Sequence, residues 1–269
     1  MNSNYFEHDN KGRPYSPYMS FNNKDFNFFA HYHEETEIIY VKHGNIMVTT
    51  DNTNILIKDE DILIIAPGKI HSIVSLGSSQ NHIFKFYTPE LIYSYNITAK
   101  ICRNDDCYSL FKRIIDEISN EYKQKNIGYS IAVNALADTL FLNVVRILKC
   151  PKLTDNDKAK NRKNILILKK ITDYCENHYT EKIDLDSISA ACNYSRYYFS
   201  HIFREITSMN FPDFLSGFRV EKSKNMLYLG KSVSETAFEC GFNNLRSFNR
   251  AFKKYTNTTP KTYMTSMTS

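Results

Sequence analysis

Two groups of residues in this 269-residue chain have types and spacing suited to chemistry. In HYHEETEIIYVKHG, His31 and His33 stand one residue apart, Glu37 follows, and His71 comes later. Residues two apart on a strand point the same way, so His31 and His33 project together. Imidazoles with a carboxylate can ligate a divalent transition metal or hydrogen-bond a polar ligand. The second group lies far downstream. Leu245, Arg246, Asn249, Arg250 and Lys253 recur at helical spacing on one face, and Arg196, Tyr197, Ser200, His201 and Arg204 do so earlier. Arg can hold guanine in a bidentate fork, and Asn can do the same for adenine.

These side chains need elements to hold them. Around the histidines the chain breaks into short runs: EIIYVKHG (37–44), IMVTTD (46–51), NILIKD (54–59), DILIIAP (61–67), HSIVSL (71–76) and HIFKFYT (82–88). They are rich in Ile, Val, Phe and Tyr and are separated by turn residues, which predicts a β-sandwich or barrel. Gly44-Asn45 and Asp51-Asn52 are the expected hairpin turns. From Tyr108 the pattern changes. Leu110, Phe111, Ile114, Ile115, Ile118 and Tyr122 form one helical stripe. Ile131, Ala135, Leu136, Leu140, Val144, Ile147 and Leu148 form a second. Two amphipathic helices are expected, packed on the strands or offering a face to a second copy. CPKLTDNDKAKNRKN (150–164) reads as a solvated linker.

Beyond Ile165 the same grammar occurs twice. After an opening helix over 165–179, Asp184 can cap a short helix carrying Ile188 and Ala191. Asn193 tolerates a left-handed turn, and Ser195 can cap the next helix, with Phe199, Ile202 and Phe203 inward. In the second unit Ser232 and Glu235 form a capping box, and Gly241 ends the short helix. Asn243 or Asn244 caps the next helix, with Phe248, Ala251 and Phe252 inward. One long helix over 210–230 joins the units, with Phe214, Phe218, Met226 and Leu227 on its buried side. Each unit predicts a helix–turn–helix whose second helix enters the major groove of double-stranded DNA. Arg204, Lys253 and Lys254 are expected on phosphates, which set register rather than sequence.

AFECGFNNLRSFNRAFKKYTNTTPKTYM resembles the second helix–turn–helix signature of the AraC/XylS transcriptional regulators. It has the Gly-Phe pair, a Phe, Arg-x-Phe-Lys-Lys, Thr-Pro and a Tyr. The resemblance runs from Ile165 to Met264, and Arg219 followed by Met226 and Leu227 is similar to the family's spacer helix. It implies DNA contacts from Arg196, Tyr197, Ser200 and His201, and from Leu245, Arg246, Ser247, Asn249 and Arg250. Ser189 departs from the family's usual Ala, Ser208 or Met209 from a Gly, and Met264 from an Arg. Upstream, His31-x-His33-x3-Glu37 with His71 resembles the metal motif of the cupin barrel over residues 18–90, with Pro67 to His71 one residue short of the usual spacing. In AraC-type regulators the His-x-His pair implies an effector pocket without metal, for instance for a sugar. Three readings of His31, His33, Glu37 and His71 stay open: effector pocket, structural histidines, and metal site.

Composition and charge frame this. Hydrophobic residues make up 42% and charged residues 23%, an ordinary globular balance over a length that fits two domains. Residues 1–148 carry 14 Lys+Arg against 17 Asp+Glu, net −3, and residues 149–269 carry 20 against 12, net +8. The back half therefore suits a polyanion. Six cysteines without a CxxC pair, and a polar N-terminus, predict a reduced cytoplasmic bacterial protein with no signal peptide. No apolar run is read as approaching the ~18–20 residues that span a bilayer, so no membrane partner is expected.

Gly-x-Ser-x-Gly, P-loop and GxGxxG motifs are missing from the sequence. No enzyme and no cofactor are expected; a metal-dependent cupin enzyme fused to a DNA-binding module is the alternative. The expectation is an α+β, two-domain chain. A cupin-like effector-sensing or dimerisation barrel with two trailing helices spans 1–149, and a linker spans 150–164. An all-α DNA-binding domain with two helix–turn–helix units spans 165–269. Expected partners are promoter or operator DNA, a small-molecule effector, a second copy of the chain and RNA polymerase. Effector binding would shift the population toward a DNA-competent arrangement. By family analogy the tail MNSNYFEHDNKGRPYSPY is expected over the barrel mouth. An effector-independent regulator whose barrel only dimerises is the other reading.

Overall fold

The computed structural model describes residues 18–24, 27–89 and 92–267. The tail expected over the barrel mouth lies outside them, apart from its last residue. Among the described residues the front half holds nine strands: β1 (Tyr18–Lys24), β2 (Phe28–His31), β3 (Thr36–His43), β4 (Ile46–Thr50), β5 (Thr53–Ile57), β6 (Ile62–Ile65), β7 (His71–Ser75), β8 (Gln80–Phe86) and β9 (Ala99–Ile101). They form two antiparallel sheets, β1-β8-β3-β6-β9 and β2-β7-β4-β5. Six of these strands match the runs expected from sequence; β1 and β9 were not expected, and the strand on which His31 and His33 were both placed is β2, which ends at His31 and leaves His33 in the loop that follows.

Period-two alternation sorts the β3 and β6 side chains into two cores. Ile39, Val41, Leu63 and Ile65 meet Ile46, Val48, Ile57 and Ile73 between the sheets. Ile38, Tyr40, Ile62 and Ile64 face the other way, onto α1 (Tyr108–Gln124) and α2 (Tyr129–Ile147). Each fully buried Ile is worth about 1.5–3 kcal/mol over leaving it exposed, so strands apolar on both faces must be covered on both.

Of the two expected hairpins, Asp51-Asn52 is one: β4 pairs with β5, and both turn residues have positive φ. Gly44-Asn45 is not. β3 pairs with β6 and β8 while β4 pairs with β5 and β7, so here the chain leaves one sheet for the other. Gly44, at φ +84°, packs against the Ser78 carbonyl, where a Cβ would have no room.

The helix stripes also need adjustment. In α2 the buried residues are Val133, Ala137, Leu140, Phe141 and Val144, while Ile131 (75% exposed) and Ile147 (41%) point outward. By length and composition α2 is apolar enough to cross a membrane, which corrects the reading that no run approaches that length. In this fold its inner face packs on α1 and the sheet.

The stretch expected as a solvated linker is helical from Asp155 onward. Thr154 and Asp157 form a capping box that starts α3 (Asp155–His178). Only 150–154 remains extended, tied to the front half by Asn96 N to Pro151 O (2.9 Å) and Leu153 N to Ser94 O (2.8 Å). The back half continues with α4 (Leu185–Ala191), α5 (Arg196–Thr207), α6 (Phe211–Tyr228), α7 (Val233–Glu239), α8 (Leu245–Thr256) and α9 (Pro260–Met267). Its core is a run of aromatic contacts: Phe203 meets Phe214 edge-on at 5.3 Å, and Phe248 meets Phe252 at 5.6 Å.

Gly241 has φ +79°, and a Cβ there would fall on the Tyr179 carbonyl oxygen and the Arg219 guanidinium. Gly241→Ala is expected to lower stability by at least about 1–3 kcal/mol, the cost of a left-handed non-glycine residue. A fall in the denaturant midpoint of the full chain, followed by far-UV circular dichroism, is the check.

Candidate DNA-reading surface and buried histidine cluster

The two helix–turn–helix units are built by the caps read from sequence. Asp184 accepts from Ser187 N (2.9 Å), Ser195 from Tyr198 N (3.3 Å), Ser232 from Glu235 N (3.2 Å) and Asn244 from Ser247 N (2.8 Å). Each satisfies an otherwise orphaned amide at a helix start. Asn193 takes the left-handed turn in the first unit at φ 60°.

With Phe199, Ile202, Phe203, Phe248, Ala251 and Phe252 buried, the opposite faces of α5 and α8 are left to solvent. On α5, Arg196, Tyr197 (84% exposed), Ser200 and His201 are exposed. On α8, Leu245, Arg246, Asn249, Arg250 and Lys253 are exposed. Arg196 is aimed by an ion pair with Asp186 on α4 at 3.0 Å, a partner not read from sequence. Ser247 is half-buried and donates its hydroxyl to Asn244 O (2.8 Å), so it serves the α8 turn. Arg204 shares the bare face of α5 with Ser200 and His201 but stands toward its C-terminal end, as Lys254 does on α8. Both line a cleft of about 650 Å³ between the back half and the outer side of the four-stranded sheet, with Thr49, Ser72 and Val74 opposite. Lys254 is also paired with Asp213 at 2.9 Å.

Direct bonds cross between the halves beside this cleft. Asn27 Nδ2 donates to Tyr255 O (2.8 Å), and Ser208 Oγ donates to Asn52 Oδ1 (2.7 Å). Tyr32 and Ile70 of the front half pack on the helical core. The strand domain therefore leans on the C-terminal ends of both reading helices, α5 and α8.

The four residues singled out near the start of the chain do converge. His31 on β2 pairs with His71 on β7 across the ladder, and Glu37 on β3 reaches them from the facing sheet. One ligand atom from each of His31, His33, Glu37 and His71 lies within 4.8 Å of the others. All four residues are 1–8% exposed. His33 Nδ1 lies 2.9 Å from Glu35 O, and His71 Nδ1 lies 2.8 Å from Lys69 O. Donation to those carbonyls turns both Nε2 atoms toward Glu37, at 3.5 Å from His33 and 2.8 Å from His71. His33 Nε2 is buried without a hydrogen-bond partner.

As donors, three imidazoles and a carboxylate suit a divalent transition metal. The charges do not. Lys85 on β8, missed from sequence, is 8% exposed and places Nζ 4.0 Å from Glu37 Oε1. Its alternation between Phe84 and Phe86 in HIFKFYT was the available signal, since it puts a lysine on the inner face. Burial alone would raise the Glu37 carboxyl, but Lys85, His33 and His71 outweigh it and hold Glu37 well below the usual carboxylate range. Burial, reinforced by His71 and Lys85, pushes His31 well down. Burial also lowers His33, against the pull of Glu37.

The chain's relatives agree with this division of labour. Residues 15–142 match the AraC-like ligand binding domain, and residues 188–266 match a helix-turn-helix domain. An HTH-type transcriptional regulator in the cgkA 5′ region of Pseudoalteromonas carrageenovora is 33% identical over 120 residues, covering 42% of this chain and 72% of that protein. The chain belongs to the AraC/XylS family of transcriptional regulators. It is thus a DNA-binding regulator with an N-terminal ligand-binding domain. A second relative in sequence, an HTH-type transcriptional regulator of Staphylococcus aureus strain MSSA476, is 33% identical over 94 residues. That match covers 35% of this chain but spans only 13% of that protein's length. The fold is similar to that of the crystal structure of ToxT from Vibrio cholerae O395, with TM-score 0.51, 15% identity, and coverage of 94% of this chain and 96% of that one.

Histidines held below their ordinary value of 6.5 bind fewer protons folded than unfolded. Their stabilisation is therefore full above about pH 6.5 and is lost as the pH falls. The depressed Glu37 has the same sign, its share falling away below its ordinary 4.5. The front half is expected to unfold more readily at about pH 5.5 than at about pH 7.5. His31→Asn should flatten that dependence in denaturation curves taken at both pH values.

Proposed function

We propose that the chain reads operator DNA with two helices held on one spacer. The first uses Arg196, Tyr197, Ser200 and His201, and the second uses Leu245, Arg246, Asn249 and Arg250. The observation that carries this is the repeated unit. Two capped turns leave two polar helix faces bare on either side of α6. Such a spacer suits successive major grooves about 34 Å apart. Lys253 serves the phosphate backbone. Arg204 is better placed for the cleft between the halves.

Arg246→Ala and Arg250→Ala should each cost about 1–3 kcal/mol and relax preference at particular base pairs. Lys253→Ala should weaken all sequences alike and reduce the salt slope by about one charge. Fluorescence anisotropy with specific and scrambled duplexes at several salt concentrations separates the two. Equal losses on both duplexes for the arginine variants would reduce them to backbone contacts.

The effector reading keeps its domain but shifts its place. His31, His33, Glu37 and His71 close on one another, whereas the cleft of about 650 Å³ has room for a sugar-sized molecule. A molecule in that cleft would touch the sheet and the ends of both reading helices, so its affinity for one arrangement would bias DNA binding. The regulator would work in the bacterial cytoplasm, signalling to RNA polymerase from the operator. A metabolite panel that moves neither the melting temperature nor the DNA affinity would favour the effector-independent reading instead.

Dimerisation is supported by the outward face of α2, where Ile131 is 75% and Leu142 36% exposed. The double change Ile131→Glu and Leu142→Glu is expected to convert a dimer to a monomer in sedimentation velocity, with each chain still folded.

A further inference from the structure

The cluster of three histidines and a glutamate fits a metal by its donors and opposes one by its charge. The opposing charge has a definite origin in the fold. β8 lies between β1 and β3, and its register sets Lys85 directly across from Glu37. Phe84 and Phe86, on either side, point into the layer beneath α1 and α2. Strand alternation leaves Lys85 only the inner face. A lysine buried there is unfavourable unless paired, and Glu37 is its carboxylate partner at 4.0 Å.

Glu37 is shared by division of its two oxygens. Oε1 faces the Lys85 ammonium, and Oε2 faces His33 and His71. A divalent ion held by the imidazole nitrogens and Oε2 would sit beside that ammonium. The repulsion between ion and ammonium is weakly screened in so dry a site.

We propose that Lys85 is the resident cation of this cluster, standing in for a divalent transition metal, and that its charge keeps the otherwise complete donor set His31, His33, Glu37 and His71 from holding one. The cluster then works as a closed polar node joining the two sheets. Loss of a single charge is enough to turn it into a metal site.

The test uses the untagged full chain, stripped with chelator and titrated with cobalt(II), whose visible ligand-field bands report imidazole ligation. The wild-type chain is expected to bind at least about tenfold more weakly than Lys85→Met and Lys85→Gln. The neutral variants should take up one equivalent, and adding His71→Ala to Lys85→Met should remove it. Lys85→Arg keeps the charge and should behave like wild type. Wild type binding cobalt(II) as tightly as the neutral variants overturns the proposal, as does failure of the folded neutral variants to bind. A gain in Lys85→Arg also overturns it, because space rather than charge would then be the cause. If circular dichroism shows neither neutral variant folded, the wild-type titration decides: uptake of one tightly held equivalent overturns the proposal, and none supports it. DNA binding enters none of these readouts, so they stand apart from the assignment of the reading helices.

Discussion

Arg219 holds the reading domain in one frame. From the middle of α6 its Nε donates to Tyr179 O at 2.8 Å and its guanidinium NH2 group donates to Glu181 O at 2.6 Å. These carbonyls close the end of α3, where the helix would otherwise leave its last acceptors open. The same guanidinium lies 5.9 Å from the centroid of the Phe242 ring and directly beside Gly241, at the turn of the second unit. One half-buried cation therefore touches the entry to the first helix–turn–helix, the spacer and the turn of the second. This contact ties the spacer to the end of α3 and to the turn before α8 from the inside. It also explains why Gly241 must be glycine: the space a Cβ needs is taken by the carbonyl and guanidinium that make the joint.

The strand domain is organised around a different polar contact with the same logic. Glu37 is a charge inside a sandwich, which is costly unless each oxygen has a partner. Lys85 supplies one, and His33 and His71 lie at the other. Partners from β3, β7 and β8 are drawn to one point, so this cluster ties the two sheets together at one end of their apolar interior. The four-stranded sheet also carries Asn27, just before β2, and Asn52, in the β4–β5 turn, which bond to Tyr255 and Ser208 at the ends of α8 and α5. A change in the sandwich thus has a short mechanical path to both reading helices. The cleft lies directly on that path.

Much of the reading domain was legible because its signals are local. Asp184, Ser195, Ser232 and Asn244 act within three residues of themselves, and Asn193 and Gly241 are chosen for their own φ. The aromatic stripes of α5 and α8 repeat at helical spacing, so their buried and bare faces could be assigned before any packing was known. The strands were less legible. Turn chemistry at Gly44-Asn45 marks a reversal but not which sheet receives the chain, because pairing partners are chosen by distant residues. The linker over 155–164 is solvent-exposed as expected but helical, and the signal for that was local. A polar run looks solvated, yet a capping box at Thr154 and Asp157 starts a helix whose apolar residues come later.

The sequence by itself determined the local grammar: two capped turns, two helices with one face for a core and one left bare, and a histidine-carboxylate set near the start of the chain. Those features depend on neighbours a few residues away, so composition and spacing suffice to read them. The tertiary structure decided which of the polar residues share one point in space. It put Lys85 against Glu37, turned Arg204 and Lys254 toward the cleft, and gave Ser247 to its own turn. Burial and electrostatics depend on distance through space, and only the folded sheets bring residues 37 and 85, or 27 and 255, within reach of each other.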